Sequence, residues 1–315
     1  MVATRALVIA ASWALAGLAF AQQPLLRRFE ERVGNLRYAG IRTVTIRDGA
    51  GTRTYSERVL RQGTNVRIEF GNDSPFAGQY VIETQQERLH VVPAANEIRV
   101  LVPRREDTVL FPFRGRLNGA RPRIVENDGG SVAGIATRRL DCYDAQNRPL
   151  QKLWIDPARG AILKREIYDP LGNLSGKFEF TRILYDAEIN AQAFNTRQLP
   201  GQRVTPTDVL KRAARQANLP MAILPPASGF ALDTARVIGL GGNAGMLMEL
   251  YASTDARLSI YVLRGQVDRQ RLNRLAQGGY STFVLRRDDY SVVLVGGLAV
   301  ADLERLARSL RLQQP

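Results

Sequence analysis

The 315-residue chain holds one cysteine, Cys142, and one histidine, His90. A single thiol excludes an intramolecular disulfide, so packed cores must supply the stability. One Cys and one His also fall short of the ligand sets of the common zinc sites. A Ser-His-Asp site would have to use His90, yet no G-x-S-x-G elbow is present and Arg88-Leu89-His90-Val91-Val92 reads as an ordinary strand. The carboxylates are scattered through turns, and no pair stands out for glycosidase chemistry. The sequence therefore predicts no catalytic residue, no metal ligand and no cofactor. Cys142 itself reads as a small buried hydrophobe.

Lysine is scarce as well. Lys152, Lys164, Lys177 and Lys211 are the only ones, so the formal net charge of +14 is carried almost entirely by arginine. Such a balance favours anionic partners, among them phosphate-bearing lipids and acidic protein segments. Nucleic acid is not expected, because no zinc-finger, helix-turn-helix or RNA-binding signature is present. Long apolar runs are missing after the first twenty or so residues, and nothing there approaches the roughly 20 apolar residues of a membrane-spanning helix. At the start, Arg5 supplies a positive n-region, Ala6 to Leu18 an apolar stretch, and Ala19-Phe20-Ala21 an A-x-A cleavage pattern. Residues 1–21 thus read as a signal peptide cleaved after Ala21, and the mature chain as exported. No cysteine follows the apolar stretch, which argues against a lipid-anchored amino terminus.

What the chain does have is β composition. Leu25, Leu26, Phe29, Val33 and Leu36 fall near helical spacing and predict one amphipathic helix. From there to residue 199, short runs rich in β-branched and aromatic residues alternate with turn clusters: 41–47, 54–60, 65–70, 80–84, 88–92, 97–102, 109–113 and 135–143. The segment from Lys152 to Ile183 reads as a three-stranded meander, its turns written as Asp156-Pro157-Ala158-Arg159-Gly160 and Asp169-Pro170-Leu171-Gly172-Asn173. Phe178 and Phe180 alternate with Lys177, Glu179 and Thr181, giving one apolar and one wet face. Phe70, Trp154, Leu163, Phe178, Phe180 and Ile167 are the candidate lipid-binding residues of that apolar side, which needs a cover or a ligand. Arg114, Arg116, Arg121 and Arg123 lie in a glycine-containing stretch without acids and form a candidate anion-binding loop.

Pro200, Gly201 and Pro206 mark a linker over residues 200–206, and a second region of 207–315 follows. It begins with a helix capped by Thr207 and running to about Asn218. Strands follow at 231–240, 246–253, 258–263, 281–286 and 290–295, with helices at 268–277 and 301–312. The glycines between Gly239 and Gly245 are followed by strand-like residues, so they predict a hairpin loop and not a dinucleotide fingerprint.

Several short motifs resemble the RseB/MucB family of periplasmic sigma-E regulators. They are Gly134 with the strand at 135–143, Trp154-Ile155-Asp156, Gly160, Leu163, Glu166, Gly172 and Phe178-Glu179-Phe180-Thr181. Later come Leu224-Pro225-Pro226-Ala227-Ser228-Gly229-Phe230 and the segment from Tyr251 to Tyr261. The resemblance implies an α+β fold: a large antiparallel half-barrel sheet closed by helices over residues 25–199, similar to the lipoprotein carriers LolA and LolB, plus a smaller α/β carboxy-terminal domain. It also implies a periplasmic protein that binds the periplasmic segment of a membrane anti-sigma factor and senses lipid or lipoprotein acyl chains. Tyr251, Asp255 and Tyr261 become candidate partner contacts. The alternative is a LolA-like carrier without a regulatory role. A carrier needs only the first region; the second favours regulation.

Overall fold

The computed structural model describes residues 32–48, 51–102, 122–169, 171–240, 244–253, 256–267 and 280–315. The signal segment, the strand expected at 109–113 and the helix expected at 268–277 lie outside these residues. So does most of the amphipathic segment from Leu25; at its end Val33–Asn35 form a 3₁₀ turn.

The large sheet contains twelve strands. The first six are β1 (Arg37–Asp48), β2 (Gly51–Gln62), β3 (Asn65–Phe70), β4 (Tyr80–Glu83), β5 (Arg88–Val92) and β6 (Glu97–Leu101). The next five are β7 (Arg123–Val132), β8 (Ile135–Tyr143), β9 (Pro149–Ile155), β10 (Ile162–Tyr168) and β11 (Leu174–Tyr185), and β12 (Gln202–Val204) completes it. Their spatial order is β12-β6-β5-β4-β3-β2-β1-β11-β10-β9-β8-β7. A meander of six strands and one of five therefore meet at β1 and β11. Every described pairing is antiparallel except that of β12 with β6, which is parallel. The expected linker thus donates a short strand to the sheet.

The two Asp-Pro turns form for the reasons their sequence gives. The Asp156 carboxylate accepts from the N–H groups of Ala158 and Arg159, and Gly160 takes φ 78°. Asp169 does the same for Leu171 and Asn173, and Gly172 takes φ 84°. The sheet curls far enough that β7 comes near β11, but the half-barrel does not close. Leu140, Leu153, Ile155, Leu163, Phe180, Tyr38, Val59 and Val66 fill its interior.

The smaller unit has a five-stranded sheet of β14 (Ala231–Leu240), β15 (Ala244–Ala252), β16 (Arg257–Arg264), β17 (Ser281–Arg287) and β18 (Tyr290–Gly296). Its order is β14-β15-β16-β18-β17. Strands β14 and β15 pair up to Leu240 and Ala244, as a hairpin requires. Helix α1 (Pro206–Ala217) and helix α2 (Val300–Ser309) bury Leu210, Ala213, Ala214, Leu303, Leu306 and Ala307 against it. A two-stranded pair of β13 (Met221–Ile223) and β19 (Arg311–Gln313) packs alongside.

Two helix boundaries differ from expectation. The N-cap of α1 is Thr205, not Thr207, because Pro206 suits the first helical position and Asp208 completes a capping box with Thr205. Helix α2 ends at Ser309, and the residues beyond it turn into β19, whose backbone groups are taken up by β13.

Candidate binding site

Residues facing each other across neighbouring strands share a face of the sheet. On β1 the inward set is Tyr38, Gly40, Arg42 and Val44. Their partners are Arg61, Val59, Glu57 and Tyr55 on β2, and Tyr185, Ile183, Phe180 and Phe178 on β11. Arg165 on β10 faces Phe178 and belongs to the same side. The inner face is therefore not the uniformly apolar surface that alternation predicts. Arg42, Glu57 and Arg61 are all buried in it, between aromatic rings.

The Arg42 Nε donates to Glu57 Oε2 at 2.7 Å, and its guanidinium sits 4.6 Å from the centre of the Phe178 ring. The Arg61 Nε donates to the carbonyl of Gly63 at 2.9 Å. Phe180 meets Tyr38 and Phe178 edge-on, with ring centres 5.7 and 6.2 Å apart. Burial, with the charge of Glu57 next, pushes the Tyr55 phenol up to about 12. Tyr38, Arg42, Arg61, Arg165, Phe178 and Phe180, with Leu36 and Ile162, line a cavity of about 30 Å³. That is room for water and far too little for an acyl chain.

By register Phe70, Ile167, Phe178 and Phe180 share the inner face, but the candidate lipid-binding residues do not pack as one cluster. Phe178, Phe180 and Leu163 come together in the interior, Phe180 and Leu163 being fully buried. Trp154 faces Lys164 on β10 and Arg139 on β8, and so lies on the opposite side of the sheet from Phe178. There the Lys164 ammonium sits 4.5 Å from the indole. Ile167 packs on Cys142 and Leu150 in a separate small cluster. Phe70 belongs to an aromatic group with Tyr55, Phe76 and His90. In that group burial, with Arg99 and Arg88 nearby, drives the imidazole down to about 4, so it is neutral at ordinary pH. Burial likewise pushes the Cys142 thiol up to about 12, which leaves it unreactive.

Of the candidate anion loop, Arg114, Arg116 and Arg121 lie outside the described residues. Arg123 opens β7 and stacks its guanidinium 4.3 Å from the Tyr143 ring. Asp255 also lies outside them. Tyr261 is half-buried, and Tyr251 is buried in the core of the smaller unit, its hydroxyl donating to the carbonyl of Ala222 at 2.9 Å. Arg42, Glu57, Arg61 and Arg165 were not among the sequence candidates. Their signal was available: each is a charged residue at an inward position of its strand, where the alternation calls for an apolar one.

Among the described residues, no group of three or more His, Cys, Asp or Glu side chains is placed to hold a metal ion, and no helix is long and apolar enough to cross a membrane.

The chain is thus an α+β protein with a large half-open barrel sheet, a smaller helix-backed sheet and a two-stranded pair beside it. No protein-family profile matches it, and no curated protein matches it in sequence. Among solved structures, the Pseudomonas aeruginosa MucA/MucB complex is similar at 18% identity over 92% of this chain and 98% of that one, with a TM-score of 0.48. MucB alone is similar at 16% identity over 92% of this chain and 97% of that one, with a TM-score of 0.47. A LolA superfamily protein from Nitrosomonas europaea is similar at 13% identity over 56% of this chain and 98% of that one, with a TM-score of 0.29.

Proposed function

We propose that the chain is a periplasmic regulator of the RseB/MucB kind, not an enzyme, exported by cleavage after Ala21. It binds the periplasmic segment of a membrane anti-sigma factor and responds to envelope lipid or lipoprotein. Residues 25–199 form the lipid-responsive domain, residues 207–315 the second domain, and residues 200–206 join them.

The observation that supports this reading is the direct bonding between the two units. Arg212 on α1 ion-pairs with Glu97 on β6, and the Val102 N–H donates to the Asp233 carboxylate on β14 at 3.3 Å. A carrier has no need of a second domain, still less of one tied to its sheet. The filled interior points the same way: an acyl chain entering the cavity beside Arg42 must displace Tyr38 or Phe178, which couples ligand entry there to a change of shape. A ligand that prefers one arrangement of the units then shifts partner affinity by its differential affinity for the two arrangements.

The test is affinity capture of the mature chain from solubilised membranes, followed by calorimetry of the recovered partner with and without added lipid. Recovery of a single-span protein whose affinity falls with lipid is the expected result. Recovery of lipoproteins alone would instead select the carrier.

A further inference from the structure

Glu249, on β15, is completely buried, and its partners across the sheet are Ala235 and Ile260. Its Oε1 accepts the backbone N–H of Ala222 at 2.7 Å, while its Oε2 has no hydrogen-bond partner. Two residues further on, Tyr251 donates its hydroxyl to the carbonyl of the same Ala222. Both polar backbone groups of Ala222 are thus held by side chains of β15, and β13 is fastened to the five-stranded sheet without being a strand of it. On its other side β13 pairs with β19.

We propose that the Glu249 carboxyl is a pH-dependent catch for the β13–β19 pair: neutral, it keeps the pair docked on β15; ionised, it favours release. The geometry sets the sign. An ionised carboxylate at this position has one oxygen bonded and one buried against apolar neighbours, whereas in the released arrangement water reaches both. The other charged groups on the packed elements lie elsewhere. Asp208, Lys211, Arg212 and Arg215 of α1, Arg236 of β14, Arg257 and Arg264 of β16, Arg305 and Arg308 of α2, and Arg311 of β19 are exposed. Asp302 and Glu304 of α2 are engaged with Arg305 and Arg308, and Asp233 accepts from Val102. Tyr251 is the one titratable group that acts on Glu249. Burial accordingly pushes the Glu249 carboxyl up to about 8, with the Ala222 N–H bond acting in the opposite direction.

The linkage follows directly. The docked state holds a proton that the released state gives up, so release becomes easier by about tenfold per pH unit between the ordinary glutamate range and pH 8, and levels off above it. Release also uncovers Tyr251, which the docked pair hides. This inference does not depend on the regulatory reading.

The test is hydrogen exchange of the full chain from pH 6 to pH 9, read in peptides spanning β13 and β19 and divided by the intrinsic exchange rate. An opening equilibrium that rises about tenfold per pH unit up to about pH 8 in the wild type, and stays flat in Glu249→Gln, is expected. A flat wild-type profile, or the same slope in Glu249→Gln, would overturn it. If Glu249→Gln does not fold, carboxyl ¹³C NMR of the wild type decides: a Glu249 midpoint above about 6.5 sustains the catch, and one at or below that rejects it.

Discussion

Arg42 and Glu57 face each other across β1 and β2 and form a 2.7 Å ion pair whose side chains are only 9% and 6% exposed. A pair this deep gains little over a well-packed apolar pair, but removing one member leaves the other charged and buried. Glu57→Gln should therefore destabilise the chain by about 3 kcal/mol in chemical denaturation. A double replacement of both residues by apolar ones of similar size should recover much of that loss. Equal stability of Glu57→Gln and wild type would show that the pair is not held in the interior as described.

The contact between the two units should be sensitive to acid. Hydrogen bonding from Arg212, then from Arg99, holds the Glu97 carboxyl below its ordinary value. A carboxylate depressed in the folded state contributes stability above its unfolded value, and that contribution is lost as the pH falls through its folded value. The units should thus loosen below about pH 4.5. The Arg212 side chain is 51% exposed, so the pair is worth at most about 1 kcal/mol and should weaken in salt. Small-angle scattering of wild type and Glu97→Gln at neutral pH should show the larger dimensions for the variant. Identical profiles would remove this pair as a tie between units.

Gly40 lies beneath the Phe180 ring. A Cβ there would come within 2.7 Å of the Phe180 Cε1 and 2.8 Å of the Arg182 carbonyl oxygen. Gly40→Ala should cost about 2 kcal/mol through displacement of the ring and of β11. Phe180→Ala should cost about 4 kcal/mol by leaving a cavity, so variants of Phe180 read out folding before they read out any lipid. Thermal unfolding of the two variants checks both numbers, and a wild-type midpoint for Gly40→Ala would contradict the close approach.

Tyr251→Phe removes the only described side-chain donor to the Ala222 carbonyl. The expected loss is about 1–2 kcal/mol, the cost of an unsatisfied buried acceptor. It should appear first as faster exchange in β13 and only later as global unfolding.

How much of this was readable from the chain differs between its parts. The Asp156 and Asp169 turns, the β9–β11 meander and the β14–β15 hairpin were legible, because their signals are local and each turn residue performs the task its chemistry suggests. Strand β7 was not recognised, since Asp128-Gly129-Gly130 reads as a turn; in the fold it is a bulge between Asp128 and Ser131. The short strands β13 and β19 were invisible for another reason, as each exists only through a partner about ninety residues away. In the candidate site the aromatic residues were found and the arginines were missed. Hydropathy marks Phe178 as inward but cannot show that Arg42 has Glu57 waiting for it across the ladder. The side of Trp154 was also hidden, because it depends on pairing across β10: Trp154 faces Lys164, which faces Glu179, the residue between the two phenylalanines.

Strand β12 has a role apart from joining the two units. Three residues long and parallel to β6, it covers backbone groups along the last strand of the large sheet. An uncovered edge of that kind is a template on which another chain can add a strand. The joining segment therefore also acts as a guard: a cut or a proline introduced within Gln202–Val204 would free the second unit and at the same time offer β6 to a neighbouring molecule, so that loss of the tie and onset of self-association would arrive together.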